Sequence, residues 1–272
     1  MKRMCCVVIS VYKNDNLEYV QKSLDSLYMQ SLKADIFIKI DGQIDKRLEE
    51  YLLQEHRKGN ITYLSKREEN RGLATSLNEL IQEALKKKYE YFFRMDADDI
   101  CVAGRFQKQL EFMEANKDID ICGTFIEEFG NGIEYKKLVK YPLIHEEMRE
   151  WFKKRVPLAH MTVCFRRSFF EKAGLYPESG HISNEDTLMW LKGFENGCRF
   201  ANIDYVGVKV RVSRDFFQRR TGVRKILYDF KNRLEVIKKL HYGFDAYFYA
   251  FGIMGINLLP TQLKKLAYKY LR

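Results

Sequence analysis

Three carboxylates fall within four residues, at Asp96, Asp98 and Asp99, with Ala97 between the first two. Carboxylate oxygens are hard ligands, and acids one residue apart can share one Mg2+ or Mn2+. A cation held this way keeps positions for phosphate oxygens, so the chemistry suggested is the handling of a nucleotide diphosphate compound. Alone, the cluster would equally suit a solvated turn or a helix N-cap. What precedes it favours the metal. Tyr91-Phe92-Phe93 is an unbroken apolar run closed by Arg94-Met95. A short apolar run ending in acids reads as a buried parallel strand. Its carboxyl end is where open α/β sheets bind ligands.

The elements that would position these acids alternate along the first half of the chain. Residues 5–11 are strand-like. Leu17, Val20, Leu24 and Leu27 mark one face of a helix that Asn16 can cap. A second strand over 36–40 ends at Asp41-Gly42, and Leu48, Leu52 and Leu53 suggest a second helix. A third strand over 61–64 precedes a strong helical stripe, Leu73, Leu77, Leu80, Ile81 and Leu85. This rhythm implies a parallel sheet with right-handed crossovers. Later elements are less regular: a helix over 106–112, strands over 119–125 and 161–165, and a short helix over 166–173. A helix over 186–194, capped by Asn184 or Ser183, and a strand over 206–212 follow. Three helical stretches, about 223–240, 244–259 and 261–271, close the chain.

Composition bounds the class. The chain has 272 residues, a net charge of +10, and six cysteines without a C-x-x-C pair. The cysteines lie largely in apolar runs, which suggests reduced, buried thiols and a cytoplasmic protein, not a disulfide frame or zinc site. The start is too soon polar for a signal peptide. The excess charge is concentrated late: residues 224–272 carry ten bases against three acids. Basic tails suit nucleic acid or an anionic membrane.

Six loops would converge at the strand ends: Ser10-Val11-Tyr12, Asp41-Gly42, Asn70-Arg71-Gly72 with Asn78 beyond it, Asp96-Ala97-Asp98-Asp99, Asn184-Glu185-Asp186, and Gln218-Arg219-Arg220-Thr221-Gly222. In this order and spacing the set resembles the family 2 glycosyltransferases over roughly residues 4–222. Within them it looks most like bacterial enzymes of exopolysaccharide and O-antigen synthesis, the amylovoran type included. His160-Met161-Thr162-Val163 and Phe165-Arg166-Arg167 fit that subgroup.

The resemblance implies an α/β GT-A fold, a mostly parallel Rossmann-like sheet flanked by helices, over residues 1–222. It also implies transfer of a hexose from a UDP-sugar with inversion, with Mn2+ or Mg2+ as cofactor. Asp41 would bind uracil near Ser10 and Tyr12, and Asn70 and Arg71 would face the nucleotide. Asp96 and Asp98 would hold ribose and metal, with Asp98 the direct ligand. Asp186 would be the general base, with Glu185 beside it. Arg219 and Arg220 occupy the place of the family's Q-x-x-R-W. No Trp follows them, so they are expected on the diphosphate and a processive polymerase is not. The acceptor would be a saccharide on a polyprenol diphosphate.

Plainer readings exist for several of these residues. Asp41-Gly42 alone suits a turn, and Glu185 and Asp186 suit a helix N-terminus. His160 is expected to be packed and hydrogen-bonded, since no nucleophile pattern surrounds it. Trp151 and Trp190 are expected in the core, Trp190 with a second option of lining the acceptor site.

Residues 223–272 read as a helical, membrane-associating extension. Leu263, Leu266, Ala267, Tyr270 and Leu271 make one helical face, and Lys264, Lys265, Lys269 and Arg272 take the others. A basic amphipathic helix suits an anionic bilayer surface. The uncharged aromatic stretch 246–259 is shorter than the ~20 residues a span requires. The expected location is therefore peripheral, on the inner face of the cell membrane, and no nucleic-acid partner is expected. Two alternatives stand: a sugar-1-phosphate nucleotidyltransferase, which would need a glycine-rich basic loop that residues 10–16 lack, and a nucleic-acid binder using the tail.

Overall fold

The computed structural model describes residues 5–130, 137–178, 184–212 and 222–259. Strands β1 (Cys5–Tyr12), β2 (Asp35–Asp41), β3 (Tyr63–Arg67) and β4 (Tyr91–Arg94) alternate with helices α1 (Leu17–Tyr28), α2 (Lys46–Arg57) and α3 (Leu73–Leu85). After β4 come β5 (Ile100–Cys101), α4 (Arg105–Ala115), β6 (Ile121–Phe129), β7 (Lys137–Val139) and α5 (His145–Phe152). A 3-10 turn over His160–Thr162 leads to β8 (Cys164–Arg166) and α6 (Arg167–Ala173). The chain continues through α7 (Glu185–Glu195), β9 (Phe200–Arg211), α8 (Val223–Lys239) and α9 (Asp245–Leu258).

The strands form one sheet in the order β3-β2-β1-β4-β8-β6-β9-β5, with β7 added on β6. β3, β2, β1 and β4 are mutually parallel. The strand order reverses at β1: β2 and β3 lie on one side and β4 on the other. Such a reversal opens a crevice beyond the carboxyl ends of the strands. Past β4 the sheet is mixed, because β8 runs antiparallel to both β4 and β6. The strand expected over 161–165 is thus shorter and later, its first half taken by the 3-10 turn. The strand expected over 206–212 starts earlier, at Phe200, and pairs parallel with β6. β5, β7 and α5 have no counterpart among the expected elements, being too short or too polar to carry a period.

Alternation along β1 sends its side chains to two cores. Val7, Ile9 and Val11 meet Leu24 and Leu27 of α1 and Leu48 and Leu52 of α2. Cys6 and Val8 face the other way, with Leu77, Leu80 and Ile81 of α3 and the aromatic group Phe92, Phe165, Phe169, Trp190 and Phe200. Trp190 is fully buried, as expected for the core, whereas Trp151 is 38% exposed and does not belong to it. Leu53 is likewise exposed. Asn16 caps α1, its side-chain oxygen accepting the N–H groups of Glu18 and Tyr19. Asp45 does the same for α2. All six cysteines are buried thiols outside any disulfide.

The closing helices differ in how they pack. Val236 and Leu240 of the α8 region join the aromatic core. α9 buries only Ala246 and Ala250, packed with Ile237. Phe244, Phe248, Phe251, Leu258 and Leu259 remain exposed, as do Val223 and Leu227 of α8. No helix of the described residues is long and apolar enough to cross a membrane. The helix expected over 261–271 lies outside the described residues.

His145 ties α5 to β9: its Nδ1 accepts the Phe200 N–H at 3.1 Å, which requires a neutral ring. Burial, helped by Arg199, holds its pKa below the usual value. An unfolded histidine protonates near pH 6.5, and the folded one only at lower pH. The contact's contribution is therefore present above about pH 6.5 and lost as pH falls toward the depressed folded value. The urea midpoint is expected to drop between pH 7.5 and 5.5. His145→Gln, whose carboxamide oxygen can accept the same N–H, is expected to flatten that drop and cost under about 1 kcal/mol at pH 7.5. An unchanged slope would assign the titration to another group.

Candidate active site

Tyr12, Asp41 and Arg67 end three adjacent strands in one register row, Tyr12 beside Asp41 and Asp41 beside Arg67. Asp41 is buried, and its two carboxylate oxygens accept the N–H groups of Arg71 and Gly72, each at 2.9 Å. Asn70 Nδ2 donates to the Asp41 carbonyl at 3.0 Å. Gly42 follows at φ +87°, where a side chain would be strained and its Cβ would stand 3.0 Å from Asn70 N. Asp41 therefore holds the Asn70–Gly72 loop against the end of β2. Arg67 backs Asp41, Nε to Oδ1 at 3.3 Å, and continues to Glu79 at 3.2 Å, which also pairs with buried Lys39 at 2.7 Å. Ser10 and Tyr12 are half-buried at the end of β1.

The acid loop lies beyond β4, on the far side of β1. Its residues alternate: Asp96 and Asp98 are partly exposed, whereas Ala97 and Asp99 are buried. Asp99 turns inward, and its Oδ1 accepts the Arg211 N–H at the end of β9 at 2.7 Å. Its Oδ2 has no hydrogen-bond partner among the described residues. Burial, then the charges of Asp96 and Asp98, push the Asp99 carboxyl well up. Arg211 also donates from Nε to the Asp98 carbonyl at 3.0 Å, and its guanidinium lies 3.9 Å from the Tyr19 ring centre.

Two buried arginines fix the base of this loop. Arg105 is wholly enclosed and donates from Nη2 to the Arg94 carbonyl at 3.0 Å and from Nε to Gln109 at 2.9 Å. Arg94, the last residue of β4, is 2% exposed, and its Nη2 pairs with Asp96 Oδ1.

A second acidic pair opens α7. Burial and the neighbouring Asp186 push the Glu185 carboxyl up, while Arg94 opposes them. Asp186 Oδ1 accepts the Thr187 N–H at 2.6 Å. Asn184 stands at the N-cap position without a side-chain cap bond. It reaches instead to Asp229 of α8 at 2.6 Å, so the expected capping role is not what its side chain does. Ser183 lies outside the described residues. Arg233 of α8 also feels the charge of Asp186, and burial pushes its pKa down to about 10. Buried Tyr176 links the two acidic groups: it interacts electrostatically with Glu185, Asp186, Asp96 and Arg94. His160 Nε2 lies 2.8 Å from the Tyr176 hydroxyl, packed and hydrogen-bonded as expected, and burial with Arg94 nearby keeps it neutral. Asn78 clamps the segment by donating to the Tyr176 carbonyl and accepting its N–H, both at 2.9 Å. Trp190 packs edge-on against His160 within the core, so it does not line an acceptor site.

Asp41, Asn70 and Arg71 thus form one group; Asp96 and Asp98 share the acid loop, Glu185 and Asp186 open α7, and the charges of Asp96 and Glu185 both reach Arg94. Arg219 and Arg220 lie outside the described residues. No cluster of three or more metal-binding side chains occurs among the described residues. Two half-exposed carboxylates with a buried acid behind them still fit Mg2+ or Mn2+, which dehydrate reluctantly and take one or two carboxylates plus substrate phosphates. The sequence reading missed Arg67, Arg94 and Tyr176. For Arg94 the signal was present: a charge closing an otherwise apolar strand needs a buried partner. Arg67 and Tyr176 carry no such mark, since register and folding alone bring them to the site.

Comparison with known proteins agrees with this geometry. Residues 6–174 match the family model described as glycosyl transferase family 2. The chain is 32% identical over 223 residues to the amylovoran biosynthesis glycosyltransferase AmsE of Erwinia amylovora, covering 80% of each chain. It is 27% identical to an Escherichia coli UDP-Gal:alpha-D-GlcNAc-diphosphoundecaprenol beta-1,3-galactosyltransferase, covering 97% of this chain and 94% of that one. Among solved structures, GalNAc-T7 with UDP, GalNAc and Mn2+ superposes with a TM-score of 0.66 at 17% identity, over 98% of this chain and 54% of that one. The fold is the α/β GT-A fold. With the family model matched over residues 6–174, which span most of the sheet, the chain belongs to glycosyl transferase family 2 and is a glycosyltransferase.

Proposed function

We propose that the protein transfers a hexose, with inversion and with Mn2+ or Mg2+, from a UDP-sugar to a lipid-linked saccharide of a surface polysaccharide. The observation that carries this is the acid loop after β4 at the switch point of the sheet, its Asp96 ion-paired with buried Arg94, with a second acidic pair, Glu185 and Asp186, opening α7. One group suits a donor diphosphate and the other an acceptor hydroxyl. The Asn70–Gly72 loop held by Asp41, with Ser10 and Tyr12, receives the uridine. Asp98, with Asp96 beside it, would hold the cation, which supplies neutralising charge for the departing diphosphate. Arg219 and Arg220 add to that neutralisation. Asp186 accepts the proton of the acceptor hydroxyl as the new C–O bond forms. Attack from the face opposite UDP passes through an oxocarbenium-like state and inverts the anomeric carbon. Galactose, glucose and N-acetylglucosamine are the donor sugars considered. The galactosyltransferase relative, whose name gives a UDP-Gal donor and a diphosphoundecaprenol-linked acceptor, favours galactose and a polyprenol carrier.

The same reading puts the enzyme on the inner face of the cell membrane. α9 exposes Phe244, Phe248 and Leu258, and Arg224, Lys231 and Lys238 of the preceding α8 are exposed as well. An apolar face rimmed by bases, followed by the basic segment 261–272, suits an anionic bilayer surface. The membrane-associating part then begins at α9, because α8 packs on the core.

Three measurements test these assignments. Asp98→Ala is expected to lower kcat/KM by about 10^3-fold and abolish Mn2+-dependent UDP binding, with the melting temperature retained; wild-type UDP affinity with Mn2+ would remove the metal assignment. Asp186→Asn is expected to lower kcat by about 10^2–10^4-fold and leave donor binding intact. Near-normal turnover in that variant, with loss in Glu185→Gln, would move the base to Glu185. Replacing Phe244, Phe248 and Leu258 together by Ser is expected to weaken binding to anionic vesicles at least about tenfold, since each buried apolar side chain contributes about 1.5–3 kcal/mol. Unchanged vesicle binding would assign the apolar face to another partner.

A further inference from the structure

Asn184 stands where α7 begins, immediately before Glu185 and Asp186, and its side chain makes no cap bond to that helix. Asparagine is among the best capping residues, so a local source of helix stability is forgone here. The side chain reaches α8 instead: Nδ2 donates to Asp229 Oδ1 at 2.6 Å, between residues 45 positions apart. The Asn184 N–H donates to Glu185 Oε2 at 3.1 Å. One residue therefore holds α8 with its side chain and the first acid of α7 with its backbone.

The helix at the other end of this bond is anchored. Val236 of α8 shares the aromatic core with Met189 and Trp190 of α7. Lys225, Asp229 and Arg233 recur at four-residue spacing, which puts them one above another on one side of α8. Lys225 Nζ lies 3.3 Å from Asp229 Oδ1. Arg233 donates to the Phe152 carbonyl and feels the charge of Asp186. Asp229 carries the same charge as Glu185 and Asp186, so Coulomb forces between them oppose its placement. What it supplies to α7 is a hydrogen-bond acceptor for Asn184.

We propose that Asp229 is a positioning residue for the acceptor half of the transfer: through Asn184 it fixes the entry of α7, and with it the direction from which Asp186 meets the acceptor hydroxyl. This rests on the reading of Asp186 as the general base. Catalytic groups need support from rigid elements, and a displacement of about 1 Å can cost about 10^2-fold in rate. A hydrogen bond to a carboxylate on a packed helix gives that support. The donor half is held by other partners: Asp41 by Arg71 and Gly72, and Asp96 by Arg94. The machinery of the reaction then extends past residue 222 into α8.

The test exchanges the two ends of the bond. Full-length variants are compared in hydrolysis of UDP-galactose, UDP-glucose and UDP-N-acetylglucosamine, with water standing in for the acceptor hydroxyl, and in UDP affinity with Mn2+ present. Asp229→Ala is expected to lower kcat at least about tenfold and to keep UDP affinity within about threefold. Asp229→Asn retains an acceptor oxygen and is expected to recover most of the rate. Asn184→Asp sets two carboxylates against each other while giving α7 an equally good cap residue, and is expected to be as slow as Asp229→Ala. Joining Asn184→Asp to Asp229→Asn rebuilds the bond with donor and acceptor exchanged, and is expected to restore most of the loss. Should Asp229→Ala not fold, the exchanged pair decides. A folded Asp229→Ala with wild-type kcat, an Asp229→Asn as slow as Asp229→Ala, or an exchanged pair no faster than Asn184→Asp would each overturn the inference. UDP affinity falling in step with kcat would overturn it too, by making the contact a general support of the fold. A wild type that binds no UDP would instead sink the nucleotide-sugar reading itself.

Discussion

Carboxylates repel one another, and this protein sets Asp96, Asp98 and Asp99 within four residues just beyond β4, where the charges of Asp96 and Glu185 both reach buried Arg94. At surface-like dielectric, like charges about 4 Å apart cost about 4 kcal/mol, so the arrangement persists only with compensation nearby. Arg94 supplies it from below, paired with Asp96 and felt by Asp99 and Glu185. Arg211 contributes its amide to Asp99 and its side chain to the Asp98 carbonyl. Arg105, also buried, secures the backbone from which the acids project. The apolar strand β4 gives these groups their fixed frame: Phe92 and Phe93 are wholly buried on opposite faces of the sheet.

The sheet decides which residues can cooperate. β1 sits between β2 and β4, so the group around Asp41 and the acid loop flank a single strand. Antiparallel β8, inserted after β4, carries the chain into α6 and on to Tyr176, which Asn78 then clamps against α3. That clamp brings the 176–178 segment and the start of α7 toward the acid loop. The second acidic pair thus depends on a contact between residues about one hundred positions apart in the chain.

The closing helices divide between core and surface. α8 reaches inward with Val236, and its Asp229 and Arg233 contact or feel Asn184 and Asp186. It packs on the aromatic core. α9 buries Ala246 and Ala250 against α8, meets it again through the Phe230–Phe251 ring pair, and keeps Phe244 and Phe248 exposed. An exposed apolar surface of this kind needs a covering phase or partner, and its position directly after α8 links that surface to the residues around the second acidic pair.

Much of this was legible from the chain alone. Period-3.6 stripes marked α1, α2 and α3, alternation marked β2, and short apolar runs marked β1 and β4, because the helices each bury one face and the two central strands bury both. The cap at Asn16 and the acid cluster after an apolar run were readable because both are local chemistry. Asp41, Asp96, Asp98, Glu185 and Asp186 could be singled out by residue type, spacing and family resemblance. What the chain could not disclose is which of them meet. Tyr12, Asp41 and Arg67 became neighbours through strand register, Tyr176 reached the acids through the Asn78 clamp, and Asn184 turned from capping to binding Asp229. Short or mixed elements such as β5, β7 and β8 carry too few residues for a period. Local sequence fixes local conformation and residue chemistry. The pairing of charges across the sheet depends on long-range register and packing, and only the tertiary structure decided that Arg94 would stand beneath both acidic groups.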